Sequence, residues 1–341
     1  MSRRPRRISR PRGKGRGRAA LVVLVALALV AGWAVLSYAG PGPRAPGGRD
    51  TTTVFLPRGA SLPQIAARLD AAGVIDSRLL FVTATRVSGR AGTLKAGEYQ
   101  FASEASMRRV LAKIVAGRVV RHQITVPEGY TSGMVVDLLA AEPALSGPVI
   151  SPPEGSILPE TYDFHRGESR AEVIARMRQA QTDLLDQLWP NRAADLPFDT
   201  REEAVILASI VEKETGVPAE RPRIAAVFVN RLKKGMRLES DPTIIYGVTK
   251  GRPLGRSILL SEKNSVTPWN TYTKDGLPET PIANPGRAAL EAVLNPPKTD
   301  ELFFVADGTG GHVFSSTFEE HERNVARWRR IKAAQMKAGV R

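Results

Sequence analysis

The chain has 341 residues, 42% of them hydrophobic and none of them cysteine, enough for two or three packed domains and incompatible with wholesale disorder, a disulfide framework or thiol catalysis. Its +15 formal charge is confined to the ends, with +9 in residues 1–18 and +6 in residues 321–341, so residues 19–320 are neutral. A nucleic-acid-binding domain carries its charge on the folded body, so no nucleic-acid partner is expected.

Residues 1–18 read as a basic cytoplasmic tail, and Ala19–Ala39 follows as 21 residues without a charge. At 1.5 Å per residue that run spans about 30 Å, the hydrocarbon thickness of a bilayer. The basic flank lies before the run, which orients a single-pass anchor in the cell (inner) membrane with everything after residue 40 outside the cytoplasm. Membrane lipid is therefore an expected partner. A cleaved signal peptide is the alternative, although its apolar region is ordinarily about 7–15 residues.

Residues 40–50, rich in Gly and Pro, read as a linker. Thr51–Leu56 predicts a strand, Pro57-Arg58-Gly59 a turn, and Ser61 the cap of a helix carrying Leu62, Ile65 and Leu69. A second helix is expected from Ser77, a strand from Gly97 and a helix over Met107–Val115. The strand–Pro-x-Gly–helix unit recurs at 121–139, where ITVPEGYTSGMVVDLL parallels VFLPRGASLPQIAARL. Residues 51–150 are assigned to this small α/β module and 151–330 to a second domain, with a basic tail over 331–341.

The second domain begins with helices at 169–189 and 200–215, then turns to long polar stretches dense in Asn, Tyr, Trp, Gly and Pro. Loops of this kind on a scaffold are where function concentrates. No Walker loop, nucleophile elbow or HExxH motif is present, and the four histidines are scattered, so no metal and no cofactor are expected. Gly308–Gly311 reads as a hairpin turn between strands at 302–306 and 312–314.

In TREEAVILASIVEKETG, Thr200 and Glu203 form a capping box and Gly216 supplies a stop. Val205, Ala208 and Val211 share a face with Glu212, whereas Glu214 lies 200° further round. Only one of these acids is thus expected to join an apolar face. Burial raises a carboxyl pKa, and a neutral carboxyl is what general-acid cleavage of a glycosidic bond needs. A Glu–Lys pair on the surface is the plain alternative. Tyr, Trp and Asn in the later loops suit a sugar, by stacking and by hydrogen bonds to hydroxyls.

ASIVEKET at 208–215, VFVNRLKKGMRLESDPTIIYG at 227–247, NTYTKDGLPETPIANPG at 270–286, FVADGTGGHVF at 304–314 and EGSILPETYDF at 154–164 closely resemble the endolytic murein transglycosylases of the MltG (YceG-like) family. The resemblance covers about residues 50–330; Trp269 and Gly216-Val217-Pro218 are small departures. It implies an α+β protein with one transmembrane helix, a LysM-like module and a mixed catalytic domain. It implies lytic cleavage between MurNAc and GlcNAc within nascent peptidoglycan strands, leaving 1,6-anhydro-MurNAc ends and terminating elongation beside penicillin-binding-protein synthases. The family's catalytic glutamate aligns with Glu212. Asp241, Tyr246, Asn270, Tyr272 and Asn230 are the expected substrate contacts. Two alternatives stay open: a muramidase that uses water, with Asp241 or Glu239 as second carboxylate, and a non-catalytic peptidoglycan-binding scaffold.

Overall fold

The computed structural model describes residues 14–337; most of the basic N-terminal tail and residues 338–341 lie outside it. Helix α1 (Lys14–Ala39) begins ahead of the uncharged run, and its Leu21–Ala39 stretch is long and apolar enough to cross a membrane. Leu21, Leu24, Leu29 and Leu36 are exposed, so the protein itself offers these side chains no core.

The chain divides into two compact units, the first ending at Arg121 and including residues 165–167. After α1 it contains β1 (Thr51–Leu56), α2 (Leu62–Ala71), α3 (Arg78–Val87), β2 (Gly97–Ala102) and α4 (Met107–Ala116). β1 and β2 pair antiparallel, Thr51 opposite Ala102 and Leu56 opposite Gly97. Ser61, Ser77 and Ser106 cap the three short helices, and Gly117 ends α4 in the left-handed conformation. Leu56, Leu69, Phe81, Tyr99, Leu111 and Ile114 fill the core between strands and helices.

The second unit holds β3 (His122–Thr125), α5 (Ser132–Ala141), β4 (Thr161–Phe164), α6 (Arg170–Leu188), α7 (Arg201–Glu214), α8 (Arg221–Lys233), α9 (Asp241–Thr249), α10 (Leu260–Lys263), α11 (Arg287–Leu294), β5 (Phe303–Ala306), β6 (His312–Ser315) and α12 (Phe318–Lys337). The expected boundary at 150/151 therefore moves to 121/122. The cause is pairing: β3 bonds antiparallel to β4, and Ile124, Val135 and Leu139 share a core with Ile157, Phe164, Val173 and Met177. The second strand–Pro-x-Gly–helix copy thus belongs to the C-terminal unit. The tail expected from residue 331 is likewise part of α12, and Ile331 packs over Gly308 in the β5–β6 turn.

α7 is the centre of this unit. The Thr200–Glu203 capping box starts it, and every residue from Ala204 to Val211 is buried. α8, α9 and α11 enclose it, and Leu207, Ile210, Ile224, Phe228, Leu290 and Val293 are among the residues of that core. Beside it, Gly155 has φ +76°, and a Cβ there would meet Pro281 at 2.6 Å and Val205 at 2.8 Å. Gly276 has φ +73° with open space around it. Gly155→Ala is therefore expected to lose the roughly 1–2 kcal/mol of a left-handed non-glycine residue plus about 1–3 kcal/mol of overpacking. Gly276→Ala should lose only the first part. Urea denaturation distinguishes them; equal losses would contradict the close packing of this turn.

Candidate active site

Helix α7 ends at Glu214, two residues before the expected glycine stop, because Thr215 is extended and its Oγ1 accepts the Val217 N–H at 2.9 Å. The last turn therefore presents Glu212 and Glu214 in different directions. Both are shielded, contrary to the expectation that only one would be. The expectation assumed a helix with one apolar face, whereas α7 is enclosed on all sides.

Glu212 has 5% of its side chain exposed, and both carboxylate oxygens are engaged. Oε2 accepts the Gly286 N–H at 2.9 Å, and Oε1 meets Arg221 Nη2 at 3.2 Å. The same guanidinium reaches Glu128 at 3.6 Å. Burial pushes the Glu212 pKa up, opposed by the Gly286 N–H and by Arg221. A Cβ on Gly286 would fall 2.0 Å from Glu128 Oε1, so a larger residue there would displace the Glu128 carboxylate. These contacts tie the end of α7 to the starts of α8 and α11.

Glu214 lies in a different environment. The Ser240 hydroxyl donates to its Oε1, and among the described residues no hydrogen bond reaches its second oxygen. Its pKa is pushed up to about 7, first by burial and further by the Asp241 charge, while the Ser240 hydroxyl, His312 and Arg231 oppose the rise. A carboxyl poised there is protonated about half the time at neutral pH and can both give and take a proton.

The loop before α9 is built to hold this arrangement. Ser240 N–H donates to Thr271 Oγ1 at 3.0 Å, Thr271 N–H donates to Thr243 Oγ1 at 3.2 Å, and the Thr243 hydroxyl donates to Ser240 O at 2.6 Å. Ser240, Thr243 and Thr271 are all buried. Glu239 takes φ +52°, and Arg231 holds it there, bonding the Leu238 carbonyl at 3.1 Å and the Glu239 carboxylate at 3.3 Å. Burial lowers the Arg231 pKa, opposed by Glu239.

The expected contact residues separate into two groups. Asp241 and Tyr272 join the Glu214 neighbourhood: the Tyr272 hydroxyl donates to Asp241 Oδ1 at 2.8 Å, and burial followed by Asp241 drives the Tyr272 pKa up. Asn270 is buried, its amide bonded to the carbonyls of Lys263 and Ser265, so it shapes the loop. Asn230 gives its amide to the Thr299 and Glu301 carbonyls. Tyr246 is buried, donates to Glu154 Oε2 at 3.1 Å and meets Trp269 edge-on at 5.4 Å. Each of these three gives its amide or hydroxyl hydrogens to the protein. Ser240, Arg231, Glu154, Glu220 and His312 were not singled out from sequence. Ser240, Arg231, Glu154 and His312 did lie inside the motifs that carry the resemblance.

A family model described as the YceG-like family matches residues 54–327. The chain belongs to the YceG-like family. The endolytic murein transglycosylase of Bacillus subtilis (strain 168) is 29% identical over 307 residues, covering 81% of this chain and 84% of that protein. That of Streptococcus pneumoniae serotype 2 (strain D39) is also 29% identical, covering 80% of this chain; this chain spans 58% of its length. A crystal structure of a YceG-like protein from Listeria monocytogenes is 28% identical, with a TM-score of 0.49, covering 80% of this chain and 98% of that one.

The geometry of this YceG-like site predicts how Glu214 titrates. Ser240→Ala removes the hydroxyl that favours the carboxylate, so the Glu214 pKa should rise above about 7. A carboxyl-carbon NMR titration reads this directly. A fall, or no movement, would contradict the hydrogen bond's role.

Proposed function

We propose that this chain is a membrane-anchored, endolytic lytic transglycosylase of peptidoglycan, with Glu214 as its general acid and then its general base. The single observation that carries the assignment is the Glu214 carboxyl, poised at about 7 in the family motif and flanked by Ser240, Asp241 and Tyr272. Family membership and the names of the curated relatives support the reaction and the substrate. This reading replaces Glu212 with Glu214. Glu212 is saturated by Gly286 and Arg221, which suits a structural tie, whereas Glu214 keeps an oxygen for chemistry.

In the reaction, neutral Glu214 protonates the oxygen bridging MurNAc and GlcNAc as the C1–O bond breaks through an oxocarbenium-like state. The resulting carboxylate takes the proton of the sugar's C6 hydroxyl, and O6 closes on C1 to give the 1,6-anhydro end. The nucleophile is part of the substrate, so proximity replaces a second carboxylate and a bound water. Asp241 and Tyr272 contact the sugar or orient Glu214.

Asp241 gives a second reading its one support, because a carboxylate beside a general acid could activate water instead. Mass spectrometry of digested glycan decides: anhydro ends are expected, reducing ends would establish a muramidase, and no cleavage would leave a binding scaffold. Cleavage should also fall as pH rises through about 7, since the acid form of Glu214 is lost there. Activity that climbs steadily from pH 6 to 8 would exclude Glu214 as the acid.

The apolar Leu21–Ala39 stretch supports an anchor, and its basic flank supports a cytoplasmic N-terminus with both units outside. The strand–helix–helix–strand order of the first unit supports a LysM-like module. An anchored enzyme of this kind works on nascent strands beside penicillin-binding-protein synthases. Protease added to intact spheroplasts should degrade the chain beyond residue 50; full protection of that region would sink the topology and with it the wall substrate.

A further inference from the structure

The neutrality of residues 19–320 hides a division of charge between the two units. Residues 40–121 hold 13 Lys and Arg against five Asp and Glu, a net +8, and residues 122–320 hold the balancing −8. Arg44 and Arg78 are paired, with Glu104 at 2.8 Å and Asp70 at 2.6 Å. Five acids cannot neutralise 13 bases, so the first unit keeps a basic surface that includes the exposed Arg86, Arg90, Arg108 and Arg109.

This unit is joined to α1 without slack. Ala34, Ser37 and Tyr38 are half-buried on one side of the last turns of α1, α3 and α4 pack against that helix, and Tyr38 meets the core of the unit. The chain then stays bound. Gly42 N–H donates to the Glu104 carbonyl at 3.1 Å, Glu104 N–H to the Pro43 carbonyl at 2.9 Å, and Ala45 N–H to Ser103 Oγ at 3.0 Å. Ala45 is buried, and a Cβ on Gly42 would run into the Ala105 carbonyl. Residues 40–45, composed like a linker, are therefore a fixed strap. Ala34 lies five residues, about 7.5 Å, from the outer end of the apolar stretch. A headgroup layer is about 5–7 Å thick on each side of a bilayer. When α1 spans a bilayer, the parts of α3 and α4 that touch it stand at about that depth.

α3 is equipped for such a place. Leu79 and Val87 are 78% and 84% exposed, and no other large apolar side chain is exposed among the described residues of the first unit after α1. At about 100° per residue, Leu79, Thr83, Arg86 and Val87 fall within one arc of about 100°. Phe81 and Thr85, on the opposite side, are buried. Arg90 follows just after the helix. Single exposed apolar side chains are ordinary on a protein surface. Two of them beside arginine, on the free face of a helix that touches an apolar span, have the composition of an interfacial helix.

We infer that this face of α3 is a membrane-surface contact: Leu79 and Val87 enter the headgroup layer, and the surrounding arginines bind the phosphates of anionic phospholipid in the leaflet where α1 emerges. The inference rests on the reading of α1 as an anchor made above. Arginine suits the task, because its planar fork matches two phosphate oxygens while its stem lies along apolar surface.

The chain has no cysteine, so one spin label can be placed in the full-length protein reconstituted into vesicles. Thr83→Cys puts it between Leu79 and Val87, and Leu29→Cys puts it in the middle of the apolar stretch. In vesicles containing phosphatidylglycerol, the Thr83 label should collide with lipid-dissolved oxygen and be screened from an aqueous nickel chelate. Screening should weaken in phosphatidylcholine alone and at about 1 M salt. Arg86→Glu with Arg90→Glu should weaken it by at least roughly fivefold for each charge, at an unchanged melting temperature. A Leu29 label in lipid beside a Thr83 label in open water would overturn the inference and leave the anchor standing. Water at both positions would remove the anchor and the inference together. Equal screening in the two lipids would overturn the phosphate contact. Screening that appears only when purified glycan strands are added would overturn the inference by assigning the face to substrate.

Discussion

The whole arrangement depends on the burial of α7. Eight consecutive residues, Ala204–Val211, are removed from water on every side, which fixes the helix in position and in rotation. Burial of apolar surface at about 25 cal/mol per Å² makes such a helix costly to shift. Its last turn therefore has a defined place, and two carboxylates emerge from it into different surroundings. One meets a guanidinium and a backbone N–H; the other meets a hydroxyl, a like charge and little water.

Those surroundings divide the labour. Arg221 and Gly286 use up Glu212 to hold three helix ends together, and the same tie fixes the short turn that carries Glu220. Ser240 and the Thr243–Thr271 lattice hold the opposite wall. A carboxylate tied on both oxygens and the one proposed as the general acid thus stand two residues apart. Both pKa values are raised by burial and by a like-charged neighbour, Glu128 for Glu212 and Asp241 for Glu214, but at Glu212 a guanidinium and a backbone N–H oppose the rise. The strained φ of Glu239 belongs to the same wall, held by the buried Arg231.

Much of this was legible in local sequence. The Thr200–Glu203 box, the serine caps of the first unit and the β5–β6 hairpin are short-range features, and short-range chemistry predicts them. The repeat of strand, turn and helix was legible too, but not its allegiance. β3 finds its partner 36 or more residues later, and nothing in residues 121–139 announces β4. The burial of Glu214 was missed for a similar reason. Helical periodicity identifies a face, not whether three other helices cover the remaining faces. Its key partner, Ser240, is 26 residues away. His312 escaped notice because histidines were weighed as metal ligands, whereas its partner is a single carboxylate 92 residues upstream. Asn270 and Tyr246 show the converse: residue types suited to sugars, with their polar atoms already bonded inside the protein.

The division between the two acids is the central claim, and rates of glycan cleavage by Glu214→Gln and Glu212→Gln test it most directly. Glutamine keeps size and polarity but removes the transferable proton. Glu214→Gln should lose at least the roughly 10²–10⁴-fold that a general acid supplies, with an unchanged melting temperature. Glu212→Gln should lose stability, since Arg221 is left facing a neutral amide, while the folded fraction keeps cleaving. The reverse pattern, a stable but silent Glu212→Gln beside an active Glu214→Gln, would contradict the account.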